Sequence, residues 1–535
     1  MFSSIHHLIR LARAARVMSR HDALIPGELR AQLPPGTSVL IALARLRFPW
    51  EAKPELVVRS DNTEGERLAV ALAALGPSYI KLGQFLATRA DIIGGALADD
   101  LGELRDRLPP FPRKTAIAIV EQELGRPLDQ IFTEFSEPIA AASIAQVHRA
   151  RTVPDSFYPE GREVAVKVLR PGVEAQFADD LASFFWIAAR AERHTPSIRR
   201  LRPTQVVQTL ADSVKLEMDL RLEAAAMSEM AENVADDEGF RVPEVDWART
   251  GQRVLTLEWV GGTPAGDVAS LRAAGLDMKR LGTNIIQSFL RHAMRDGFFH
   301  ADMHQGNLFV DPDGTLVAVD FGIMGRLDAK SRRIMAEILY GFVRRDYRRV
   351  AELHFEAGYV PEIKNVDDFA QALRSIGEPI FGRSARDLSM GKLLAQLFQV
   401  TEQFDMRTRP ELILLQKTMV VIEGVARNFD PDHNIWESAE PVLKDWMMAR
   451  FAPETRLQET ADSLLRISRM LGQLPDMLGR AERVSVALGG ALDSSGLKLH
   501  PASLEQLARS NRRGSRLFWA LAGLLIGVCA SFLLS

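Results

Sequence analysis

The residues of this chain best suited to chemistry are Asp302, Asn307 and Asp320. Phosphoryl transfer needs an acid that orients the attacking hydroxyl and two oxygen ligands that hold Mg²⁺ on the nucleotide phosphates. Between Asn307 and Asp320, two short apolar runs flank the turn-forming residues 311–314, which predicts a β-hairpin. Because such a hairpin would bring Asn307 and Asp320 to the same end, the spacing favours a site that binds ATP and Mg²⁺.

The same three residues stand at the offsets that protein kinases use. In those enzymes a catalytic-loop Asp is followed five residues later by an Asn, and then by the Asp of a DFG tripeptide. Residues 300–307 read HADMHQGN and residues 320–322 read DFG. The pattern predicts Asp302 as the catalytic acid and Asn307 and Asp320 as metal ligands. Aminoglycoside and choline kinases share this form of the loop, so the loop alone leaves a small-molecule kinase open.

A lysine inside an apolar run supplies the next part of a nucleotide site. Lys167 lies within residues 164–168, Val-Ala-Val-Lys-Val. Burying a lysine is costly unless it meets an anion, so the run predicts a strand that presents Lys167 to phosphate, as a kinase strand does. An edge strand with Lys167 facing water is the alternative. A partner acid is expected on a helix predicted over residues 215–226. The candidate acids on that helix are Glu217, Asp219 and Glu223.

The loop before this strand has alanines where a kinase carries glycines. Glycine lets a loop fold its backbone amides over phosphates, whereas alanine reaches fewer backbone conformations. The loop is still small enough to approach a nucleotide, so we expect binding with a different loop geometry. The residues predicted to contact the nucleotide together with Lys167 are Ile139, Ala140, Ala141, Ala142, Ser143, Ile144, Ala145, Gln146 and Val147.

These motifs together resemble those of the UbiB family of atypical protein-kinase-like proteins, which act in ubiquinone (coenzyme Q) biosynthesis. Residues 81–84 match the family's KxGQ motif, residues 140–143 its alanine-rich loop, and residues 217–219 its ExD motif. The HxDxxxxN and DFG motifs complete the set. The resemblance implies that Glu223 is the partner of Lys167 and that both join Asp302 as catalytic residues. The resemblance also implies four regulatory residues. Lys81 and Gln84 lie in an extension that packs over the active site, and Glu217 and Asp219 belong to the ExD motif.

The resemblance also gives the expected fold class, α+β. The expected architecture is a two-lobed protein-kinase-like fold with an N-terminal helical KxGQ extension and a C-terminal transmembrane helix. The expected segments are a basic amphipathic segment at 1–60, the KxGQ extension at 61–125, the small lobe at 126–262, the large lobe at 263–470, a linker at 471–514 and the transmembrane helix at 517–535.

The last nineteen residues, 517–535, contain no charged side chain, and a membrane-spanning helix needs about 20 such residues. Three arginines within residues 512–516 precede them. By the positive-inside rule, the kinase-like part is expected on the cytoplasmic side of a bacterial inner membrane, with a single pass. A buried core helix is the alternative. Gly523 and Gly527 form a GxxxG pair, which raises a homodimer as one outcome.

The first 21 residues contain no acid and carry four arginines. On a helical wheel, apolar residues such as Ala12 and Ala15 gather on one side and the arginines on another, which is typical of a helix lying on an anionic bilayer. A mitochondrial transit peptide has the same composition. Because the C-terminal anchor resembles that of bacterial family members, a retained surface helix that contacts membrane lipids is favoured.

Charge and cysteine content narrow the choice of partners. The formal net charge is −3, so no nucleic-acid partner is expected. The one cysteine, Cys529, excludes a disulfide or a cysteine-based metal site within the chain and suits a reducing compartment. A direct ring hydroxylase is disfavoured, because the sequence has no GxGxxG fingerprint and no set of thiolates for an iron centre.

Two departures from ordinary kinases bear on the reaction. Ala301 replaces the arginine of the catalytic loop, and the segment directly after the DFG, residues 323–328, contains no Ala-Pro-Glu, which disfavours phosphorylation of other proteins. Three functions stay open: an ATP-consuming enzyme that supports ubiquinone synthesis at the membrane, a small-molecule kinase acting on a lipid or prenylphenol, and a nucleotide-binding pseudokinase scaffold. The resemblance implies prenylphenol or quinone precursors and ubiquinone-biosynthesis enzymes as partners.

Overall fold

A computed structural model describes the first helix, most of the extension that follows, and two lobes. The described residues are 2–21, 23, 63–87, 93, 95–102, 104, 108–156, 158–194, 202–381, 400, 403–406 and 410–451. The predicted linker at 471–514 and the predicted transmembrane helix at 517–535 lie outside them. Within the described ranges, no helix is both long enough and apolar enough to cross a membrane. The anchor at 517–535 therefore stays a prediction.

The first helix and the helices in the described part of the extension pack on one another. The first helix is α1 (Phe2–Arg20), and the extension helices are α2 (Glu64–Leu75), α3 (Pro77–Ala87) and α4 (Gly95–Gly102). A capping box begins α2, because the Thr63 hydroxyl accepts a hydrogen bond from Glu66 N while Thr63 N donates to the Glu66 carboxylate. A β-carbon at Gly83 would lie 2.8 Å from Leu72 Cδ1, so glycine lets α3 approach α2 closely. The KxGQ segment is thereby fixed on a packed helix.

An antiparallel sheet with the order β1-β2-β3-β5 forms the small lobe. Its strands are β1 (Phe132–Ala141), β2 (Ala145–Thr152), β3 (Glu163–Leu169) and β5 (Val254–Glu258), and helix α5 (Arg113–Leu124) covers one face. Val164, Val166 and Val168 are buried in a core cluster with residues of α5. Since side chains alternate along a strand, Lys167 projects from the opposite face of the sheet.

Helices and a short strand separate β3 from β5. They are α6 (Val173–His194), α7 (Pro203–Glu217), α8 (Leu220–Asn233) and β4 (Phe240–Arg241). The single helix predicted over 215–226 is wrong, since α7 ends at Glu217 and α8 begins at Leu220. Asp219 is the N-cap of α8, and its carboxylate accepts a hydrogen bond from Arg221 N at 3.2 Å. An aspartate at this position stabilises a helix start by satisfying a free N–H group.

The large lobe is mostly helical and carries short strands. Its helices are α9 (Val268–Ala273), α10 (Met278–Arg291), α11 (Ala329–Val343), α12 (Tyr347–Glu356), α13 (Val366–Phe381), α14 (Pro410–Phe429) and α15 (Ile435–Phe451). Its strands are β6 (Thr263–Pro264), β7 (Phe298–His300), β8 (Leu308–Val310), β9 (Leu316–Ala318) and β10 (Met324–Arg326). One sheet has the order β4-β9-β8-β6, and β7 pairs with β10. These short strands position the segments between them, which contain the predicted catalytic and metal-binding residues.

One apolar core joins the extension to both lobes. Leu72 and Tyr79 of the extension, Met227 of α8, Phe289 of α10 and Ile422 of α14 are buried members of the same cluster. Burying large side chains of this kind contributes about 1.5–3 kcal/mol each to the free energy of folding. The extension is therefore an integral part of the folded unit that carries the predicted site.

The N-terminal helix lies against α6. Arg10 forms ion pairs with Asp179 and Asp180 of α6, each at 2.8 Å. Ala14 is buried, whereas Ala12, which was predicted to lie on the apolar side, is exposed. Ala12 therefore stays accessible, and contact of α1 with membrane lipids stays a prediction.

Candidate active site

Lys167 reaches two carboxylates from different parts of the chain. Its Nζ donates to Glu223 Oε1 at 2.8 Å and Oε2 at 3.0 Å, and to Asp320 Oδ1 at 3.1 Å. The alternative of an edge strand with Lys167 in water is wrong, since β3 lies between β2 and β5 and the lysine side chain is largely buried. Kinases need both the lysine–glutamate pair and the DFG aspartate in place for activity. The structure brings these three residues together in that arrangement.

These three groups set one another's ionisation. Burial disfavours the Lys167 ammonium, but the charges of Asp320 and Glu223 outweigh it and raise the pKa of Lys167 above its usual value. The Lys167 charge holds the pKa of the Asp320 carboxyl far below its usual range, and Lys81 contributes in the same direction. Burial raises the pKa of Glu223, which its pairing with Lys167 opposes. Asp320 is therefore an anion at neutral pH, the form in which a carboxylate binds a metal ion.

The predicted hairpin between the two candidate metal ligands is confirmed. Strand β8 pairs antiparallel with β9, and Gly314, at φ +88°, lies in the turn between them. At the other end of the hairpin, Val319 N donates to Asn307 O at 2.9 Å. Asn307 thus lies directly before β8, and Asp320 follows Val319, so the two candidates meet at one end as expected.

Asn307 and Asp320 provide an oxygen donor set that fits Mg²⁺. Asn307 Nδ2 donates to Asp302 O at 3.1 Å, and its Oδ1 has no hydrogen-bond partner among the described residues. Asp320 adopts φ +61°, a left-handed conformation that is uncommon for residues with side chains, and 48% of its side chain is exposed. Mg²⁺ commonly takes one or two protein ligands and completes its shell with phosphate oxygens and water. With only these two protein ligands, the remaining positions around Mg²⁺ would be taken by phosphate oxygens and water.

A buried histidine positions the catalytic loop. His300 Nδ1 accepts a hydrogen bond from Asp302 N at 3.1 Å, and Nε2 donates to Val319 O at 3.3 Å. Burial lowers the pKa of His300, so its ring is neutral and can play both roles. The Asp302 side chain itself is 31% exposed, and His304 Nε2 lies 3.7 Å from its Oδ2. Asp302 is therefore accessible to a substrate beside the metal-ligand candidates.

Two side chains of α14 support the same loop, and the sequence analysis missed them. Thr418 Oγ1 donates to Ala301 O at 3.0 Å, and Asn428 Nδ2 donates to Gln305 Oε1 at 3.2 Å. More than a hundred residues separate each pair along the chain. Thr and Asn inside a helical pattern carry no local signal of such a contact, so only the tertiary structure reveals it.

The alanine-rich loop connects β1 to β2. Residues 139–141 end β1, residues 142–144 form the turn, and residues 145–147 begin β2. None of residues 139–147 has a positive φ, which explains why alanine is tolerated where other kinases carry glycine. The loop therefore reaches its shape through conformations that any small residue adopts.

The two faces of β2 separate the predicted nucleotide contacts. Val147 lies opposite Lys167 in the pairing of β2 with β3, so both project from the same face of the sheet. Gln146 projects from the other face, where its side chain bonds the backbone of Phe111. The structure thus places Val147 on the side of Lys167 and Gln146 away from it. Ile139, at the end of β1, is exposed.

The KxGQ and ExD motifs meet in an ion pair beside this site. Lys81 Nζ of α3 lies 2.7 Å from Glu217 Oε2 at the end of α7, and the two side chains are only 12% and 11% exposed. Gln84 is half-buried on α3, three residues after Lys81. Asp219 caps α8, the helix that presents Glu223. The Lys81–Glu217 pair therefore connects the extension to the segment directly before α8, the helix whose Glu223 pairs with Lys167.

Known proteins match this arrangement over most of the chain. The ABC1 atypical kinase-like domain matches residues 103–354, and the UbiB helical domain matches residues 373–434. A probable protein kinase UbiB from Marinobacter nauticus is 37% identical over 521 residues, which cover 96% of this chain and 92% of that protein. The chain belongs to the UbiB family. This confirms the resemblance inferred from the motifs and the kinase-like α+β fold.

Other UbiB relatives are equally similar. Proteins with the same name from Pseudomonas putida and from Xanthomonas oryzae pv. oryzae are each 39% identical, over 91% and 88% of this chain and 87% and 83% of their own length. All three relatives are bacterial. In a solved structure, the Rv3197–erythromycin complex from Mycobacterium tuberculosis, the match is 24% identical and covers 68% of this chain and 95% of that chain, with a TM-score of 0.43.

Proposed function

We propose that this UbiB-family protein binds Mg-ATP and consumes it to support ubiquinone biosynthesis at the bacterial inner membrane. The contact of Lys167 with both Glu223 and Asp320 carries the proposal, because it assembles the phosphate-binding lysine and a metal ligand at one point. Asn307 and Asp320 would hold Mg²⁺, which when bound neutralises charge on the β- and γ-phosphates. Lys167 would orient the phosphates, and Asp302 would orient the acceptor.

The acceptor in this proposal is water or a small molecule such as a prenylphenol. Ala301, and a segment directly after the DFG that contains no Ala-Pro-Glu, leave out features that ordinary kinases use for protein substrates. The Lys81–Glu217 pair also supports water or a small molecule as the acceptor. It holds α3 so close to the site that the Lys81 charge acts on Asp320. The proposal also includes the anchor at 517–535 and contact with lipids and other enzymes of the pathway.

The experiment is to incubate the purified full chain with labelled ATP, Mg²⁺, anionic liposomes and prenylphenol precursors. Label released as free phosphate would identify an ATPase, whereas label in an organic product would identify a small-molecule kinase. Nucleotide binding without turnover would favour the pseudokinase scaffold and contradict ATP consumption. Absence of Mg-dependent ATP binding would overturn the proposed function altogether. In the same samples, flotation of the full chain with liposomes tests the membrane anchor.

Removing Lys81 should destabilise the extension and change turnover. Lys81→Ala leaves the largely buried Glu217 carboxylate without this partner, which costs up to about 3–5 kcal/mol for a fully buried pair. It also removes a positive charge that acts on Asp320, so the balance between ADP release and autophosphorylation should shift. Thermal unfolding and incorporation of phosphate into the protein measure the two effects.

A double variant separates the two roles of Lys81. Lys81→Met combined with Glu217→Met replaces the ion pair by apolar side chains of similar length and should recover much of the stability. The charge near Asp320 remains absent, so turnover should stay altered. If turnover returned to the wild-type value together with stability, Lys81 would be only a packing residue.

Glycine in the alanine-rich loop should release ordinary kinase behaviour. Ala141→Gly opens backbone conformations that alanine reaches only at a cost of roughly 1 kcal/mol or more. We expect altered nucleotide affinity, raised autophosphorylation and a loss of the ubiquinone-related function. ATP affinity and phosphate incorporation into the protein are the measurements. Ala141→Ser is the control, because it changes the side chain and keeps the backbone restriction. Equal behaviour of the two variants would contradict a role for backbone freedom.

A further inference from the structure

One arginine joins the alanine-rich loop to the end of the extension. Arg170 directly follows β3, and its Nε and Nη2 donate to Ala142 O at 3.0 Å and 2.8 Å. Its Nη1 donates to Pro109 O at 2.9 Å, and Nη2 also donates to Leu108 O at 3.2 Å. We call residues 108–112, Leu-Pro-Pro-Phe-Pro, the proline linker. The guanidinium therefore bonds the loop on one side and the proline linker on the other.

A second side chain holds the proline linker at the same place. Gln146 Oε1 accepts a hydrogen bond from Phe111 N at 2.9 Å, and its Nε2 donates to Phe111 O at 3.2 Å. The Phe111 ring is buried and lies 5.8 Å from Arg170 Cζ. Gln146 comes from the sheet face opposite Lys167, so the linker lies behind the loop, away from the nucleotide side. Its three prolines restrict the backbone to which Arg170 is bonded.

The bonds of Arg170 fix the orientation of a peptide group in the loop. A planar trans peptide directs its carbonyl and its N–H in opposite directions. Since Arg170 draws Ala142 O toward the proline linker, the N–H of Ser143 in the same peptide points away from that linker. The backbone N–H of Arg170 also donates to Ile144 O at 2.8 Å, and Ala142 N donates to Ala145 O at 2.8 Å. The turn is thus held at both ends.

We propose that Arg170 is a positioning residue for nucleotide binding, which acts by holding the 142–143 peptide and so sets the shape of the loop that approaches the nucleotide. In a loop with positive-φ glycines, the glycines allow that shape. Here no loop residue has a positive φ, and a planar five-donor guanidinium anchored on the proline linker takes over that task. The inference rests on the proposed binding of ATP and extends it to a residue outside the kinase motifs.

The chain contains a matched control for Arg170. Arg113, at the start of α5, also donates from its Nε to a strand carbonyl, Phe135 O at 2.9 Å. It also lies near an aromatic ring, with Cζ 6.0 Å from the Phe135 centroid. Replacing Arg113 therefore removes a similar bond and ring contact from the same lobe without touching residues 142–144.

The test compares Arg170→Met, Arg170→Lys and Arg113→Met in the full chain by titration with a fluorescent ATP analogue and Mg²⁺. Arg170→Met should bind about tenfold more weakly, as expected when hydrogen bonds to a charged group are lost. In Arg170→Lys, the lysine can restore one bond to Ala142 O but cannot also bond the proline linker as the guanidinium does. The affinity of Arg170→Lys should therefore lie between those of the wild type and Arg170→Met. Arg113→Met should bind as the wild type does. Thermal unfolding of each variant shows whether a loss of nucleotide affinity is explained by lower stability alone.

A double-mutant cycle with Ala142→Gly tests whether Arg170 acts through the loop. Arg170→Met weakens binding by some factor in the wild-type background. In the Ala142→Gly background, where glycine has freed the loop backbone, that factor should be smaller by about threefold or more. Additive effects, or equal losses for Arg170→Met and Arg113→Met, would overturn the positioning role while wild-type binding stands. Failure of the wild type to bind the analogue would instead overturn the proposed function itself, and the two failures are distinguishable.

Discussion

Asp320→Asn is expected to abolish Mg-dependent nucleotide binding while the fold stays intact. The change removes the anionic ligand and the negative charge that Lys167 meets at Oδ1, but Lys167 keeps its two bonds to Glu223. Removing even an outer-shell partner of a metal ligand typically lowers affinity about 10- to 100-fold, so loss of the carboxylate itself should exceed about 100-fold. Calorimetric titration with ATP, in Mg²⁺ and in EDTA, measures the effect.

Asn307→Ala is the graded companion to this variant. It removes a neutral amide ligand and the bond from Nδ2 to Asp302 O, so binding should weaken by less than for Asp320→Asn. The Tm of both variants provides the control for folding. Wild-type affinity of Asp320→Asn for Mg-ATP would show that the DFG segment does not hold the metal, and the assignment of both ligands would then be wrong.

The structure of the catalytic segment could be predicted from the sequence because the signals that determine it are local. Residues 308–319 combine two apolar runs with a turn that suits glycine at position 314, so both the hairpin and the meeting of Asn307 with Asp320 could be predicted. The pairing of Lys167 with an acid was equally predictable from the cost of burying a lysine, and the ExD resemblance selected Glu223. Each of these inferences depended on residue type and spacing over a short range.

Contacts between distant segments could not be predicted in the same way. Thr418 and Asn428 support the catalytic loop from α14, and Arg170 bonds a linker that lies some sixty residues earlier in the chain. Gln146 looked like part of the nucleotide loop, but alternation along β2 turns it to the opposite face. The ion pairs of Arg10 with Asp179 and Asp180 of α6 likewise join segments that are far apart in the sequence.

The contacts that join the extension to the nucleotide site could not be predicted from the motifs alone. Family resemblance identified Lys81 and Glu217 separately, and the structure joins them in a largely buried ion pair whose cation also acts on Asp320. The acid at 219 then caps the helix that presents Glu223. The KxGQ helix, the ExD junction and the Lys167 pair thus form one physical chain of contacts. Any change that loosens one of these links is expected to affect the nucleotide site.

Asp302→Asn is expected to spare nucleotide binding and to lower turnover. A positioned acid or base contributes about 10²- to 10⁴-fold to a rate, and asparagine keeps the shape of the side chain while it loses the charge and the ability to accept a proton. The loop should not move, because it is held through backbone atoms: Asp302 N donates to His300 Nδ1, and Asp302 O accepts from Asn307 Nδ2. Single-turnover ATP hydrolysis at saturating nucleotide gives the rate, and a parallel titration gives the affinity.

His304→Ala is the control for Asp302→Asn, since His304 Nε2 lies 3.7 Å from the Asp302 carboxylate and the His304 side chain is 48% exposed. If Asp302 acts on the reacting atoms, its replacement lowers the rate at unchanged nucleotide affinity, whereas loss of His304 costs far less. A group that acts only in the transition state changes the rate without changing ground-state binding. A structural role for Asp302 would instead lower Tm and nucleotide affinity together and leave the rate of the folded, loaded fraction unchanged. Hydrolysis by Asp302→Asn at the wild-type rate would therefore remove Asp302 from the mechanism, even if Mg-ATP still binds through Asn307 and Asp320.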